Sequence, residues 1–309
     1  MSQRVNFINI DNFFTDLMYQ LNYDLKAKKE KPEEIVIIEI DKDSLWIIDR
    51  PDHLADVIKA ISKYSKPEVI GIDILYDKFK YPLPPEISRN DYLLDCPDEI
   101  DTVKKYPDEM KLACVINDKA IVDVILATYY FFNDKFEVEF ISPLKFLKNA
   151  ASYSAFVNIP KDSDNVNRKA LLFIENENDR KILNNERIFY SMALAVSIYA
   201  KASDIEKIDR NTIEFNRKII KNSSKNQDYF TVYPELLGPN YQFKYIKISE
   251  IRKNINNEDY LKNTFNNKII LIGVTADEAQ DLKDTPFTKF NKDDKFNGMM
   301  PGVEYHANI

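Results

Sequence analysis

Carboxylates stand where three apolar runs stop. Ile35-Val-Ile-Ile-Glu-Ile40 ends in Asp41, with Asp43 two residues on. Val69-Ile-Gly-Ile-Asp-Ile-Leu75 holds Asp73 within it and is followed by Asp77. Lys268-Ile-Ile-Leu-Ile-Gly-Val274 runs into Thr275 and Asp277, and Asp281 comes shortly after. Acids gathered on one edge raise each other's pKa unless neutralised, so such a set favours a hard cation such as Mg²⁺, or an amine. The same residue types also serve as helix N-caps and turn acids, a role that needs no ligand. Asp41-Lys-Asp43-Ser44 has a further chemistry open to it, with the first carboxylate as nucleophile and the second as acid/base. At the far end, His306 with Glu304 nearby is either an acid/base or ligand pair, or a hydrogen-bonding strut. Asp41, Asp43, Asp77, Asp277, Asp281 and His306 are the candidate ligand-binding residues; no residue is assigned as catalytic or as a metal ligand, and no cofactor is expected.

The elements that position them follow from periodicity. Ile10, Phe13, Phe14, Leu17, Met18, Leu21 and Leu25 mark a long amphipathic helix over 10–29, stopped by Pro32. The run 35–40 suits a buried parallel strand, a helix follows at about 52–65, and 69–75 is a second buried strand after Pro67. Strand, helix and strand in this order form a right-handed crossover. Residues 76–107, rich in Pro and Asp, form a long surface excursion. A helix at 108–118, a strand at 121–130, a short helix after Pro143 and strands at 153–158 and 169–174 come next. A helix spans 186–202, short strands fall within 211–233, a short helix covers 248–255, and 268–274 is a third buried strand. The fold class is α/β: a mixed, largely parallel central sheet flanked by helices, with residues 1–30 as the N-terminal helix and 31–309 as one domain with an insertion at about 76–107. Ligands of open α/β sheets bind at the carboxyl ends of parallel strands, where the acids lie.

Composition narrows the function. The chain has 309 residues and a net charge of −7, with no basic stripe, so nucleic acid is not an expected partner. With 44% hydrophobic residues it can build a sizeable core. The apolar run Val124–Phe132 is far shorter than the roughly 20 residues of a membrane-spanning helix, and no charged-then-apolar leader opens the sequence, so the chain itself is expected to be soluble. With only 5 glycines, Gly-rich phosphate loops are absent, and each glycine marks a backbone needing positive φ or close approach. Two His and two Cys exclude the usual Cys/His zinc sites. Cys96 and Cys114 either pair in an oxidising compartment or remain two small apolar residues.

Asp41-Lys-Asp43-Ser44 resembles the nucleophile loop of haloacid-dehalogenase-type phosphohydrolases, but Gly273-Val-Thr-Ala-Asp277 poorly matches that family's downstream Gly-Asp pair. A wider resemblance covers nearly the whole chain from about residue 10. The 10–29 helix leading into Ile35–Asp41, then Val69-Ile-Gly-Ile-Asp73-Ile, Ala155-Phe-Val-Asn158, Asp162 to Asp164 with Arg168, and Ser191-Met-Ala-Leu-Ala195 all carry it. Its most specific part is Lys268–Ala276, Asp281, Thr285-Pro-Phe287 and Met300-Pro-Gly-Val-Glu-Tyr-His-Ala-Asn308. Together these segments resemble the second CHASE type of extracytoplasmic sensor domain, associated with cyclases, histidine kinases and protein kinases. The departures are Ile47-Ile-Asp-Arg-Pro51 for a Trp-Pro-Trp-Arg element, Ala155 for a glycine, Asn165 at a turn glycine, and an enlarged 76–107 stretch.

The resemblance implies a non-catalytic sensing module on the outer (periplasmic or cell-surface) face of a membrane. Its partners are then an unknown small ligand and, through membrane helices on the same polypeptide, a cytoplasmic cyclase or kinase output domain. Residues 1–30 become the membrane-proximal link, whose apolar stripe packs on the domain or pairs with a second copy in a homodimer. The alternatives are a Mg-dependent phosphohydrolase using Asp41 and Asp43, and a dimerisation scaffold without catalysis.

Overall fold

Both faces of the apolar runs at 35–40, 69–73 and 269–274 are buried, which only a covered, parallel sheet allows. The computed structural model describes residues 12, 14–22, 32–78, 96, 108–132, 138–175, 188–203, 205–209, 211–224, 229–238, 241–279, 281–288 and 299–309. Residues 14–22 form α1, followed by β1 (Ile35–Ile40), α2 (Pro51–Tyr64), β2 (Val69–Asp73), α3 (Asp108–Asn117), β3 (Val124–Phe132), β4 (Val138–Ile141), α4 (Lys145–Ala150) and β5 (Tyr153–Phe156). The chain continues through β6 (Ala170–Glu175), β7 (Ile188–Tyr190), α5 (Met192–Lys201), β8 (Ile205–Asp209), β9 (Thr212–Phe215), β10 (Lys218–Lys221) and β11 (Tyr229–Val232). Last come β12 (Lys244–Lys247), α6 (Ile248–Lys253), α7 (Glu258–Phe265), β13 (Ile269–Val274), β14 (Leu282–Lys283), β15 (Met300–Pro301) and α8 (Gly302–Ala307).

The central sheet runs β12-β1-β13-β2-β3-β4, with β5 also pairing β3. Every pairing is parallel except β3 with β4. The expected fold class therefore holds, and the three strands that end in carboxylates are adjacent, with β13 between β1 and β2. One face presents Val36, Ile38, Ile70, Ile72, Ile270 and Ile272 to a core shared with Leu54, Ile58 and Ile61 of α2, Leu112 of α3 and Phe265 of α7. The opposite face presents Ile37, Val69, Ile125 and Leu271 to Met192, Ala195 and Val196 of α5 and Val303 of α8.

Glycines set how closely the helices approach this second face. A methyl on Gly71 would meet Val196 Cγ2 at 2.9 Å, and one on Gly273 would meet Val303 Cβ at 2.6 Å. Gly71 and Gly273 thus serve close approach; Gly298 lies outside the described residues. Asn165 takes the left-handed turn conformation, φ 65°, which Asn tolerates better than most residues.

Some expectations change. The helix expected over 186–202 is strand β7 plus α5: the aromatic Ile188-Phe-Tyr190 pairs antiparallel with β6, and Ser191 caps α5 by accepting from Leu194 N at 3.3 Å. β12, α7 and α8 are further elements, short and flanked by polar residues that blur their periodicity. Of the expected 10–29 helix, 14–22 is helical and the remainder, apart from residue 12, lies outside the described residues. So does most of the 76–107 stretch, in which Cys96 forms a disulfide with Cys114 of α3, Cα–Cα 5.5 Å.

Candidate functional site

The row Glu39–Gly273–Asp73 crosses β1, β13 and β2 in register, so both carboxyl groups lie on the face that α8 covers. Val303 seats α8 on the bare glycine between them. Glu39 is buried and accepts a hydrogen bond from Thr275 Oγ1 at 3.1 Å. Asp73 is the last residue of β2, and its Oδ2 stands 3.9 Å from His306 Nε2 of α8. Asp281 pairs with Lys283 Nζ at 2.7 Å, and its carboxylate packs against Gly302 at the start of α8. The pairing of β14 with β15 fixes Asp281 and Lys283 beside that helix.

Electrostatics follow from this burial. Burial first, and then the Asp281 charge, push the Asp73 carboxyl well above the usual carboxylate range. Burial and then the Lys283 charge push the His306 imidazole down to about 4. Each member of the pair is thereby driven to its uncharged form.

Consecutive residues of α8 grip different parts of the molecule. Glu304, fully buried, accepts from Tyr241 N at 2.9 Å, Gln242 N at 2.8 Å and Tyr245 Oη at 2.8 Å. Burial and then the Glu304 charge raise the Tyr245 hydroxyl far above its ordinary value. Tyr305 donates to Lys169 O at 3.1 Å and joins Phe287, Met300, Tyr19 of α1 and Ile309 in one apolar cluster. Asn308, just past the helix, accepts from Leu237 N at 2.8 Å.

A second buried charge centre lies beside that cluster. All the N–H groups of Arg168 are engaged: Nε and Nη2 with Asp16 of α1 at 2.6 and 2.9 Å, Nη1 with Asp162 at 3.1 Å, and Nη1 and Nη2 with Asp164, each at 2.8 Å. Asp16 and Arg168 are each 1% exposed. Tyr19 of the same helix donates to Pro234 O at 3.0 Å and meets the Phe287 ring edge-on. α1 is thus fastened to the molecule by its polar and aromatic residues.

Of the six candidate residues, Asp281 and His306 come together, and they do so around Asp73. Asp41 instead pairs with Lys247 Nζ at 2.7 Å. Burial alone would raise Asp41, but Lys247 and Ser44 outweigh it and hold the carboxyl below its usual range. Asp43, Asp77 and Asp277 are exposed, and no grouping of three or more metal-type ligands occurs among the described residues. Glu304 does not partner His306: residues two apart on a helix face different ways, and Glu304 is turned to the 241–245 segment. Asp73, Glu39, Asp16 and Arg168 are the additions. The signal for Asp73 and Glu39 was an acid inside an otherwise apolar strand; Asp16 with Arg168 left no local signal.

A family model for the CHASE2 domain matches residues 1–309. No curated protein and no solved structure matches the chain.

Proposed function

The chain belongs to the CHASE2 domain family, an extracytoplasmic sensor domain of signalling proteins, and from that premise we propose that it is the outer, non-catalytic sensing part of a membrane receptor. Residues 31–309 act as one sensor unit, and α1 carries its state toward a cyclase or kinase output on the same polypeptide.

The observation that supports this most is the fastening of α1. Arg168 holds Asp16 in a buried, bidentate pair, while Tyr19 shares an apolar cluster with Tyr305 and Ile309 at the other end of the sequence. A rearrangement under α8 therefore reaches α1 through the apolar cluster that Tyr305 and Tyr19 share with Phe287, which is what a two-state relay requires. The Cys96–Cys114 disulfide supports an oxidising compartment. The outer face of α1 supports a homodimer: Phe14, Met18 and Leu21 are 58%, 56% and 45% exposed, at the four-then-three spacing of a coiled-coil seam.

The test uses the intact receptor in cells. A membrane-impermeant amine reagent should label lysines of this chain from outside, and Arg168→Ala should change the receptor's output in the absence of any added stimulus. Labelling only after lysis, or an output indifferent to Arg168→Ala, would overturn the proposal.

A further inference from the structure

His306 is nearly sealed from solvent at 4% exposure, with the Val157 backbone facing its ring and neither ring nitrogen in a hydrogen bond of good geometry. A neutral imidazole carries one N–H and one acceptor nitrogen, and burying them without well-formed partners costs stability. The surroundings explain it. Asp73 faces the ring from the end of β2 at 3.9 Å, out of hydrogen-bond reach. Burial and then the Asp281 charge push the Asp73 carboxyl toward the neutral form, so it offers the ring little countercharge. Lys283 of β14 acts on the ring, and Asp281, the residue before β14, acts on Asp73. Glu235, after β11, lines one cavity with His306, to which α5 contributes Ala193, Val196 and Ser197, none of them titratable. On α8 itself, Glu304 is turned away to Tyr241, Gln242 and Tyr245.

We infer that Asp73 and His306 form a proton-binding site, in which a proton taken from solvent onto the His306 ring leaves an uncompensated positive charge beneath α8 and lifts that helix from the sheet. No bond breaks in this step; the imidazole lone pair accepts the proton and the site gains one unit of charge. Lys283 already supplies one positive charge there, and Asp281 is committed to it. The displacement has a route outward: Tyr305 is the neighbour of His306 and packs with Tyr19, so moving α8 loosens α1. The stimulus sensed is then external acidity. The inference rests on the proposed sensor function for its biological meaning, but the proton site can be tested without it.

Only two histidines occur in the chain, so His53→Gln leaves His306 as the single imidazole signal in a nuclear magnetic resonance titration. The expected result has three parts. The His306 midpoint lies well below the ordinary 6.5, backbone amides of α8 and α1 shift with that same midpoint, and Lys283→Gln raises it. A midpoint at or above 6.5, α1 amides that stay still while His306 titrates, unresponsiveness to Lys283→Gln, or unfolding before His306 titrates would each overturn the inference. In the intact receptor, an output that answers Arg168→Ala but not acid removes the proton site and leaves the sensor function standing; an output indifferent to both removes the sensor function itself.

Discussion

Arg168 grips Asp16 across 152 residues of sequence, through Nε–Oδ1 at 2.6 Å and Nη2–Oδ2 at 2.9 Å, with both side chains 1% exposed. The pair joins the helix nearest the N-terminus to a turn in the middle of the chain. The guanidinium fork also donates to Asp162 and Asp164, so it gathers three carboxylates, with Lys169 as a further cation beside Asp162 at 3.7 Å.

Arg168→Ala should therefore cost about 3–5 kcal/mol, the range for breaking a buried ion pair by removing one partner. Arg168→Lys should recover only part, since an ammonium cannot donate in a planar fork. Urea unfolding gives the loss, and hydrogen exchange over 14–22 should rise in both variants. Unchanged exchange there would mean that α1 is held by Tyr19 and its neighbours alone.

Glu304→Gln replaces an acceptor of two backbone N–H groups and the Tyr245 hydroxyl by a side chain with a single oxygen. A loss of about 3 kcal/mol is expected, because a buried donor is left unmet. Tyr245→Phe should cost about 1 kcal/mol. Denaturant midpoints distinguish the two.

Gly273→Ala drives a methyl group into Val303, whose Cβ would lie 2.6 Å away. Overpacking of this kind costs about 1–3 kcal/mol. Adding Val303→Ala to Gly273→Ala should recover part of that loss, a coupling that a double-mutant cycle measures.

Stability should depend on pH through two groups of opposite sign. His306 is held at about 4 in the folded chain against an ordinary 6.5, so its contribution is present above 6.5 and is lost as pH falls toward 4. The full effect is about 3 kcal/mol. Asp73 is raised, so its contribution is present at low pH and is lost as pH rises above 3.8. Compared with the natural chain, His306→Gln should gain relative stability on acidification from 6.5 to 4, and Asp73→Asn should lose it. Thermal melts across that window decide; parallel curves for all three proteins would show that neither group titrates as described.

The Cys96–Cys114 bond closes a separation of 18 residues, for which a stabilisation of about 3 kcal/mol is expected. Alkylation of the folded, unreduced protein should modify neither cysteine, and reduction should lower the urea midpoint. Free thiols on the native chain would show that the bond does not form.

The sheet was legible because β1, β2 and β13 are short β-branched runs with acids at their ends, a pattern that solvent on either face would forbid. β7 was hidden inside a helix-like stretch, since Ile188-Phe-Tyr190 reads alike in either period until its partner β6 is known. The site was only half legible. Strand-end position drew attention to Asp281, and the polar turn near Glu304 drew it to His306, but Asp41, Asp43, Asp77 and Asp277 carried equal weight, and what separates them is whether α8 covers them. Asp16 and Arg168 were illegible as a pair because nothing local sets a contact across 152 positions.

β13 fills the slot between β1 and β2, although it is encoded long after both. A chain delivered from its N-terminus therefore holds two unpaired strand edges facing one another until Ile269–Val274 arrives, and such edges recruit foreign strands. Folding must wait for the last part of the sequence, with the slow kinetics of contacts so distant along the chain. A cut anywhere before Ile269 leaves an open slot instead of a smaller working piece.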